Sequence, residues 1–400
     1  MTASHDTIPA PAPAVAPERR LPLVTNSAAK AFRLCHRLYQ FRYVLGVRPV
    51  ATAEAMRFGT SAHAGLEVWT SLDSAGRDER LDRTLAALQP APGTEVDAIA
   101  QVTVEELLRG YHFRWQDEPV RTVFVERQFE ADLVNPATGA ASRTFRLGGK
   151  MDAGVEALAP LGCGAPAGEP LLVEHKTTSE DIGPGSTYWQ RLRIDSQIST
   201  YFVGAQSTGF DAAGCLYDVI RKPSIRPASV PLTDEDGVKI VLNAAGERVR
   251  TKDGKKWRES SDAASGYVLQ ARAETPEEFR ARLRADIAEN PDRYYQRGFV
   301  VRLEEELRDG MFDTWQTARL IREAELAGRY PRNPDACVRY SRPCEFFDVC
   351  TGAASLDDAQ RFRRAETAHE ELAQAEPSAA AHVDARPANA PTPDLAPLPF

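Results

Sequence analysis

Residues 147–178 read LGGKMDAGVEALAPLGCGAPAGEPLLVEHKTT, two short apolar runs on either side of a Gly/Pro/Ala-rich turn from Gly162 to Pro170. Each run fits a strand, and a hairpin between them brings Asp152, Glu174 and Lys176 close together. A strand period of two puts Glu174 and Lys176 on one face and turns His175 to the other. Two carboxylates from neighbouring strands suit a hard divalent cation such as Mg²⁺, which keeps waters and completes its shell with phosphate oxygens. Lys176 beside them would orient or help deprotonate an attacking water and offset charge on the phosphate.

The rest of the chain narrows the class. Its 400 residues, 42% of them hydrophobic, suffice for one large core or two ordinary ones. No run of about 18 apolar residues occurs, so no membrane-spanning helix is read. The opening MTASHDTIPAPAPAVAPERR lacks a basic stretch followed by an apolar one, so no secretory leader is read and a cytoplasmic location is expected. A net charge of −8 is wrong for a uniformly basic nucleic-acid coat, and any such contact has to be local. Residues 1–20 and 371–400 are biased to Ala and Pro and read as disordered tails, leaving 21–370 as a single folded domain. No phosphate-binding Gly-x-x-x-x-Gly-Lys-Ser/Thr loop is present, so the chain carries no ATP motor of that kind.

Upstream of the hairpin, Asn26 or Ser27 is the expected cap of a helix that contains Cys35, and Thr60 or Ser61 that of a second helix. On the second, His63 and Glu67 lie four apart on one face. His63 reads either as a satisfied helix-terminus histidine or as a nitrogen ligand to the cation at Asp152 and Glu174, a set that suits Mn²⁺ as well as Mg²⁺. Residues 121–133 read as a strand paired with the Asp152 strand across a turn at Asn135–Gly139. Downstream, Trp189–Gln206 has helical spacing with Gln197 and Tyr201 as neighbours four apart, and Gly214–Pro223 reads as another strand. Residues 221–300 form an insertion or lid: turn formers and charge mark its first part as a hairpin excursion or a mobile loop, in which Lys252–Arg258 is densely basic. Thr275 and Pro276 open a helix, and a strand and a long helix ending at Gly328 follow.

A second constellation lies in 330–352. Cys337, Cys344 and Cys350 fall in loop-like sequence, with Cys35 as a remote fourth. Four thiolates bind zinc or an iron–sulfur cluster, and three spread cysteines plus a distant one lean toward [4Fe–4S] over the paired spacing zinc favours.

Asp152 followed by Glu174-His175-Lys176 resembles the signature of the PD-(D/E)XK nuclease superfamily. Gly59-x-x-x-His63 before it and Gln197-x-x-x-Tyr201 after it resemble the RecB-like branch, where the histidine is a metal ligand and the Gln/Tyr helix positions DNA and the site. The cysteines resemble the iron–sulfur members of that branch, which include CRISPR-associated exonucleases; Cys344-x5-Cys350 matches their pattern, while six residues between Cys337 and Cys344 stand where two are usual.

The resemblance spans residues 27–352. It implies an α/β, restriction-endonuclease-like fold: a central mixed sheet flanked by helices, with a helical cap stapled by the cluster. It further implies a Mg²⁺- or Mn²⁺-dependent DNA nuclease of exonuclease type, with the metal held by His63, Asp152, Glu174 and the His175 carbonyl. Lys176 would act on the water, and Gln197 and Tyr201 would position the strand. Arg33, Arg37, Arg339 and Arg342, beside the cysteines, would supply local positive surface for DNA. Recombination, repair, phage or CRISPR proteins are the implied partners. The rival readings are a non-catalytic nucleic-acid-binding module on the same fold and a zinc-stapled hydrolase of another class.

Overall fold

The computed structural model describes residues 20–51, 54–90, 96–339 and 341–373. The expected tails at 1–20 and 371–400 fall almost wholly outside the described residues. Among the described residues, six strands make the central sheet: β1 (Leu23–Thr25), β2 (Val120–Val134), β3 (Ala141–Ala157), β4 (Pro170–Thr178), β5 (Gly214–Arg221) and β6 (Tyr295–Val300).

Strand β3 organises the sheet. One edge pairs antiparallel with β2 over nearly its whole length, across the turn at Asn135–Gly139. The other edge is divided: Arg146–Gly148 pair parallel with β1, and Ala153–Glu156 pair antiparallel with β4. Strand β4 then runs parallel to β5, and β5 antiparallel to β6, so the sheet is mixed. The β3–β4 ladder stops at Ala153↔Val173, one residue before Asp152 and Glu174. The two acidic residues therefore stand where the hairpin begins to fork.

Helices cover both faces. Helices α2 (Glu54–Ser71), α3 (Ala98–Trp115) and α5 (Pro276–Glu289) pack Leu66, Leu107, Tyr111 and Leu283 against Ile220 and Tyr295. On the opposite face, α4 (Ser196–Ser207) packs Ile198 and Tyr201 against Met151, Leu172, Tyr217 and Val219. Ile220 and Val219 thus serve different cores, as alternation along a doubly covered strand requires. Helices α1 (Asn26–Leu34) and α6 (Glu304–Ala327) close one end through Phe32, Ala318 and Ile321. Close approach of α4 depends on Gly204: a Cβ there would lie 2.5 Å from the Phe129 ring. That ring fills the space between helix and sheet and sets how near Gln197 and Tyr201 come to β4.

Several local expectations change. Thr25 caps α1, its Oγ1 accepting from the Ala28 N–H at 3.1 Å, because β1 runs straight into the helix. Helix α2 starts at Glu54, upstream of Thr60 and Ser61, on a run of good helix formers. The expected single helix over 189–206 is two, Thr187–Leu192 and α4, separated where Asp195 caps α4 by accepting from the Gln197 N–H at 3.0 Å. The expected insertion over 221–300 is shorter. Residues 229–273 form small hairpins, whereas α5 joins the core and β6 completes the sheet. At the other end of the chain, Phe362–Arg364 pair with Val47–Pro49, and Thr25 Oγ1 donates to Glu371 at 2.7 Å. No helix among the described residues is long and apolar enough to cross a membrane.

Candidate active site

At the fork, Asp152 Oδ2 accepts the His175 N–H at 2.9 Å, replacing the ladder bond that the diverging backbones no longer make. Glu174 lies opposite and is 2% exposed. Its Oε1 accepts from the Lys176 ammonium and from Gln197 Nε2, the latter at 2.8 Å. Its Oε2 is buried with no hydrogen-bond partner among the described residues. Burial, and then the Glu174 charge, push the Asp152 carboxyl well above the ordinary carboxylate range. A cation here would relieve the cost of ionising Asp152 in this buried setting.

Gln197 ties the motif to α4. Its Oε1 accepts from Lys176 Nζ at 2.8 Å while its Nε2 also reaches the Tyr201 hydroxyl at 2.9 Å. Burial works against the Lys176 charge, but Glu174 outweighs it and the ammonium is held above its usual range. His63, on α2, places Nδ1 3.7 Å from Asp152 Oδ2. Burial first, and then the positive potential of His175, Lys176 and Lys150, push its pKa down to about 3, leaving a neutral imidazole. His63, Asp152, Glu174, Lys176, Gln197 and Tyr201 are thus brought together by α2, the two strands of the fork and α4. Among the described residues, however, no group of three or more His, Cys, Asp or Glu stands ready-made to hold a metal ion.

The sequence reading left other members out. Lys150 pairs with Glu126, whose φ of 49° lies in the left-handed region that non-glycine residues rarely adopt. Glu126 sits opposite Asp152, since Val125↔Ala153 and Arg127↔Met151 flank it. Glu67, one turn after His63, has its pKa raised by burial and by Glu126. Lys150 had a signal, two residues before Asp152 on the same face of the strand; Glu126 had none. Behind the motif, Asp218 receives His175 Nδ1 at 3.0 Å, Arg297 Nε at 3.0 Å and the Tyr111 hydroxyl. Burial opposes the Asp218 charge, but Arg297 and His175 prevail and hold the carboxyl far below its usual range.

A sequence model of the PD-(D/E)XK nuclease superfamily matches residues 24–351, more than half of the chain and the whole central sheet except Leu23. The chain belongs to the PD-(D/E)XK nuclease superfamily. No curated protein matches it. A crystal structure of a "Putative exonuclease" from Eubacterium rectale aligns with it at 10% identity and a TM-score of 0.36, covering 84% of this chain and 90% of that one. The mixed sheet flanked by helices is the architecture the resemblance implied, and the family is one of nucleases, hydrolases of phosphodiester bonds.

In this nuclease, Cys35, Cys337, Cys344 and Cys350 line one cavity of about 320 Å³. All six cysteines are free; Cys215 is buried in β5 and Cys163 lies in the β3–β4 turn. Cys35 does not sit within a helix as expected. It interrupts the helical run with an extended φ of −162°, between α1 and the turn His36–Tyr39. Burial raises the Cys344 and Cys350 thiols, and neighbouring cysteines add to the shift. Arg339 and Arg342 also line this cavity, whereas Arg37 donates to the Tyr330 carbonyl and Arg33 to Ser196.

Proposed function

We propose that this nuclease is a RecB-like DNA exonuclease whose Asp152, Glu174, His175 carbonyl and His63 hold Mg²⁺ or Mn²⁺. The observation that carries the reading is the unpartnered, buried Oε2 of Glu174, beside an Asp152 whose charge is strained by the same burial. Neutral His63 keeps a lone pair available at the edge of the pair. A divalent cation bound there supplies Lewis acidity, polarising the phosphate and lowering the pKa of water.

The chain's own groups do the rest. Lys176, held protonated, acts by charge and orientation: it aligns the water or screens the phosphate and takes no proton in this state. Gln197 fixes Lys176 and Glu174 relative to each other, and Tyr201 braces Gln197 from α4. The exonuclease assignment and a role in recombination, repair or phage DNA processing, with any motor supplied by another protein, follow from the His63, Gln197 and Tyr201 segments.

The cysteine-lined cavity favours a [4Fe–4S] cluster, with zinc as the alternative. The cluster would be structural, joining the N-terminal helices to the segment 330–352. Four cysteines from opposite ends of the chain around one space support it. Anaerobically purified protein should be brown, with broad visible absorption that dithionite bleaches; colourless protein carrying zinc would replace the cluster assignment.

Digestion of end-labelled linear and closed circular DNA tests the activity. Linear DNA should be degraded with Mg²⁺ or Mn²⁺, circles spared, and EDTA should stop the reaction. Every substrate left intact with Mn²⁺ present would overturn the proposal.

A further inference from the structure

We infer that the hairpin at residues 248–258 is a wing that grips the phosphate backbone of DNA outside the cleft. This rests on the DNA-nuclease reading above.

The excursion is rooted beside the site. Strand β5 ends at Arg221, paired with Thr178, and the Lys222 N–H donates to the Thr178 carbonyl at 2.7 Å, two residues beyond Lys176. The Lys222 ammonium lies 4.3 Å from the Phe58 ring on α2, the helix that carries His63. Arg282 of α5 clamps both arms of the root, donating to the Arg226 carbonyl at 2.6 Å and to Glu274 Oε2 at 2.7 Å. The hairpins therefore leave the sheet at the end where Glu174 and Lys176 stand.

The wing is preorganised. Its turns close at Gly237, Gly246, Gly254 and Gly266, each with φ between 72° and 80°. Arg248 and Arg250 stack on Trp257, with guanidinium carbons 4.6 and 4.2 Å from its ring centre, and Arg248 also pairs with Asp234 at 2.7 Å. These arginines are occupied within the fold.

The lysines are not. Lys252, Lys255 and Lys256, at the tip, are exposed, and their ammonium groups have no ion-pair or hydrogen-bond partner among the described residues. The nearest acid, Asp253, turns back to accept from Thr251 Oγ1 and the Lys255 N–H. In a chain of net charge −8, six basic residues (Arg248, Arg250, Lys252, Lys255, Lys256 and Arg258) face a single acid across 248–258. An arm that is rooted next to a phosphodiesterase site and carries unpaired ammonium groups at its tip is complementary to a polyanion, and each phosphate it neutralises releases counterions.

The test replaces Lys252, Lys255 and Lys256 together with Gln in the full chain. Anisotropy of a labelled duplex in EDTA should show binding weakened about tenfold or more, and a salt dependence shallower by up to about 2.7 in log–log slope. Hydrolysis of bis(4-nitrophenyl) phosphate and the melting temperature should not change, and the triple Lys→Arg variant should bind like the parent. Unchanged affinity and salt slope in the Gln variant would overturn the wing. Because binding is read without turnover, this outcome is separate from failure of the parent to cut DNA, which would overturn the nuclease assignment alone.

Discussion

His175 Nδ1 and Asp218 Oδ2 lie 3.0 Å apart in the core, and this bond anchors the middle residue of Glu174-His175-Lys176 from behind. The backbone of the same residue works at the front, where its N–H holds Asp152 Oδ2 at 2.9 Å. Asp218 in turn is fixed by Arg297 and Tyr111, so three neighbouring strands and α3 determine where the His175 backbone sits. Asp218→Ala leaves the buried His175 imidazole without its acceptor and Arg297 with Glu118 as its remaining carboxylate, and should cost about 3 kcal/mol in urea unfolding. His175→Asn keeps a donor where Nδ1 stood and should retain most activity, whereas His175→Leu should lose activity beyond what its unfolding midpoint explains. Equal kcat in the Asn and Leu variants would remove the anchor's functional role.

Lys176 and Gln197 act as a unit. Lys176→Ala removes the charge directed at the reacting phosphate and should lower kcat by about a hundredfold or more, in protein that melts normally. Gln197→Ala leaves the charge but frees it, so a loss of about ten- to a hundredfold is expected. Steady-state cleavage of one labelled duplex by both variants and by the double variant decides the matter. Losses that simply multiply would mean that Gln197 does not act through Lys176.

How far the sequence carried the reading differs from element to element. The Asp152 and Glu174 strands were legible because apolar alternation, a Gly/Pro-rich turn and acidic residues at its edges all pointed the same way. Gln197 and Tyr201 were legible by helical spacing, although the helix break at Asp195 was not, since its side chain caps a helix inside a periodic run. The network around Asp218 was invisible: His175, Asp218 and Arg297 are brought together only by the register of three strands far apart in sequence. Glu126 was invisible for another reason, because its φ of 49° does not follow from a strand pattern. Cys35 was found by residue type alone, and its extended conformation is a tertiary outcome.

A stability profile in acid should expose the most buried carboxylate that holds α3 to α5. Glu106 is 1% exposed and accepts from Arg284 Nε at 2.7 Å and Arg280 Nη1 at 3.0 Å. Burial opposes its charge, but Arg284, Arg280 and Arg109 overcome the penalty, and its pKa falls below the ordinary value of 4.5. A carboxyl depressed in the folded state contributes stability that is present above its unfolded pKa and is lost as pH falls through the folded one. Thermal melts from pH 6 downward should therefore show a loss of stability below about pH 4.5 that Glu106→Gln reduces. An identical acid limb in that variant would assign the loss to other groups.

The cysteines make the prediction that joins the two ends of the chain. Cys35 leaves the helical run in an extended conformation and borders the same cavity as Cys337, Cys344 and Cys350, so a group bound there would link residue 35 to the segment 330–352. Cys215, buried in β5, offers an internal control. Cys35→Ser should abolish the visible absorption and lower the melting temperature of the anaerobically purified protein. Limited proteolysis should then cut first between Pro331 and Gly352, because loss of the cross-link leaves that segment held to the N-terminal helices by Phe346 against Phe41 and Val47 and by the Arg42–Glu345 pair. Cys215→Ser should keep the absorption, because its loss is confined to packing. If Cys35→Ser keeps both colour and melting temperature, the cavity does not bind a cluster through Cys35, and the packing of α1 against α6 must hold that end of the fold without it.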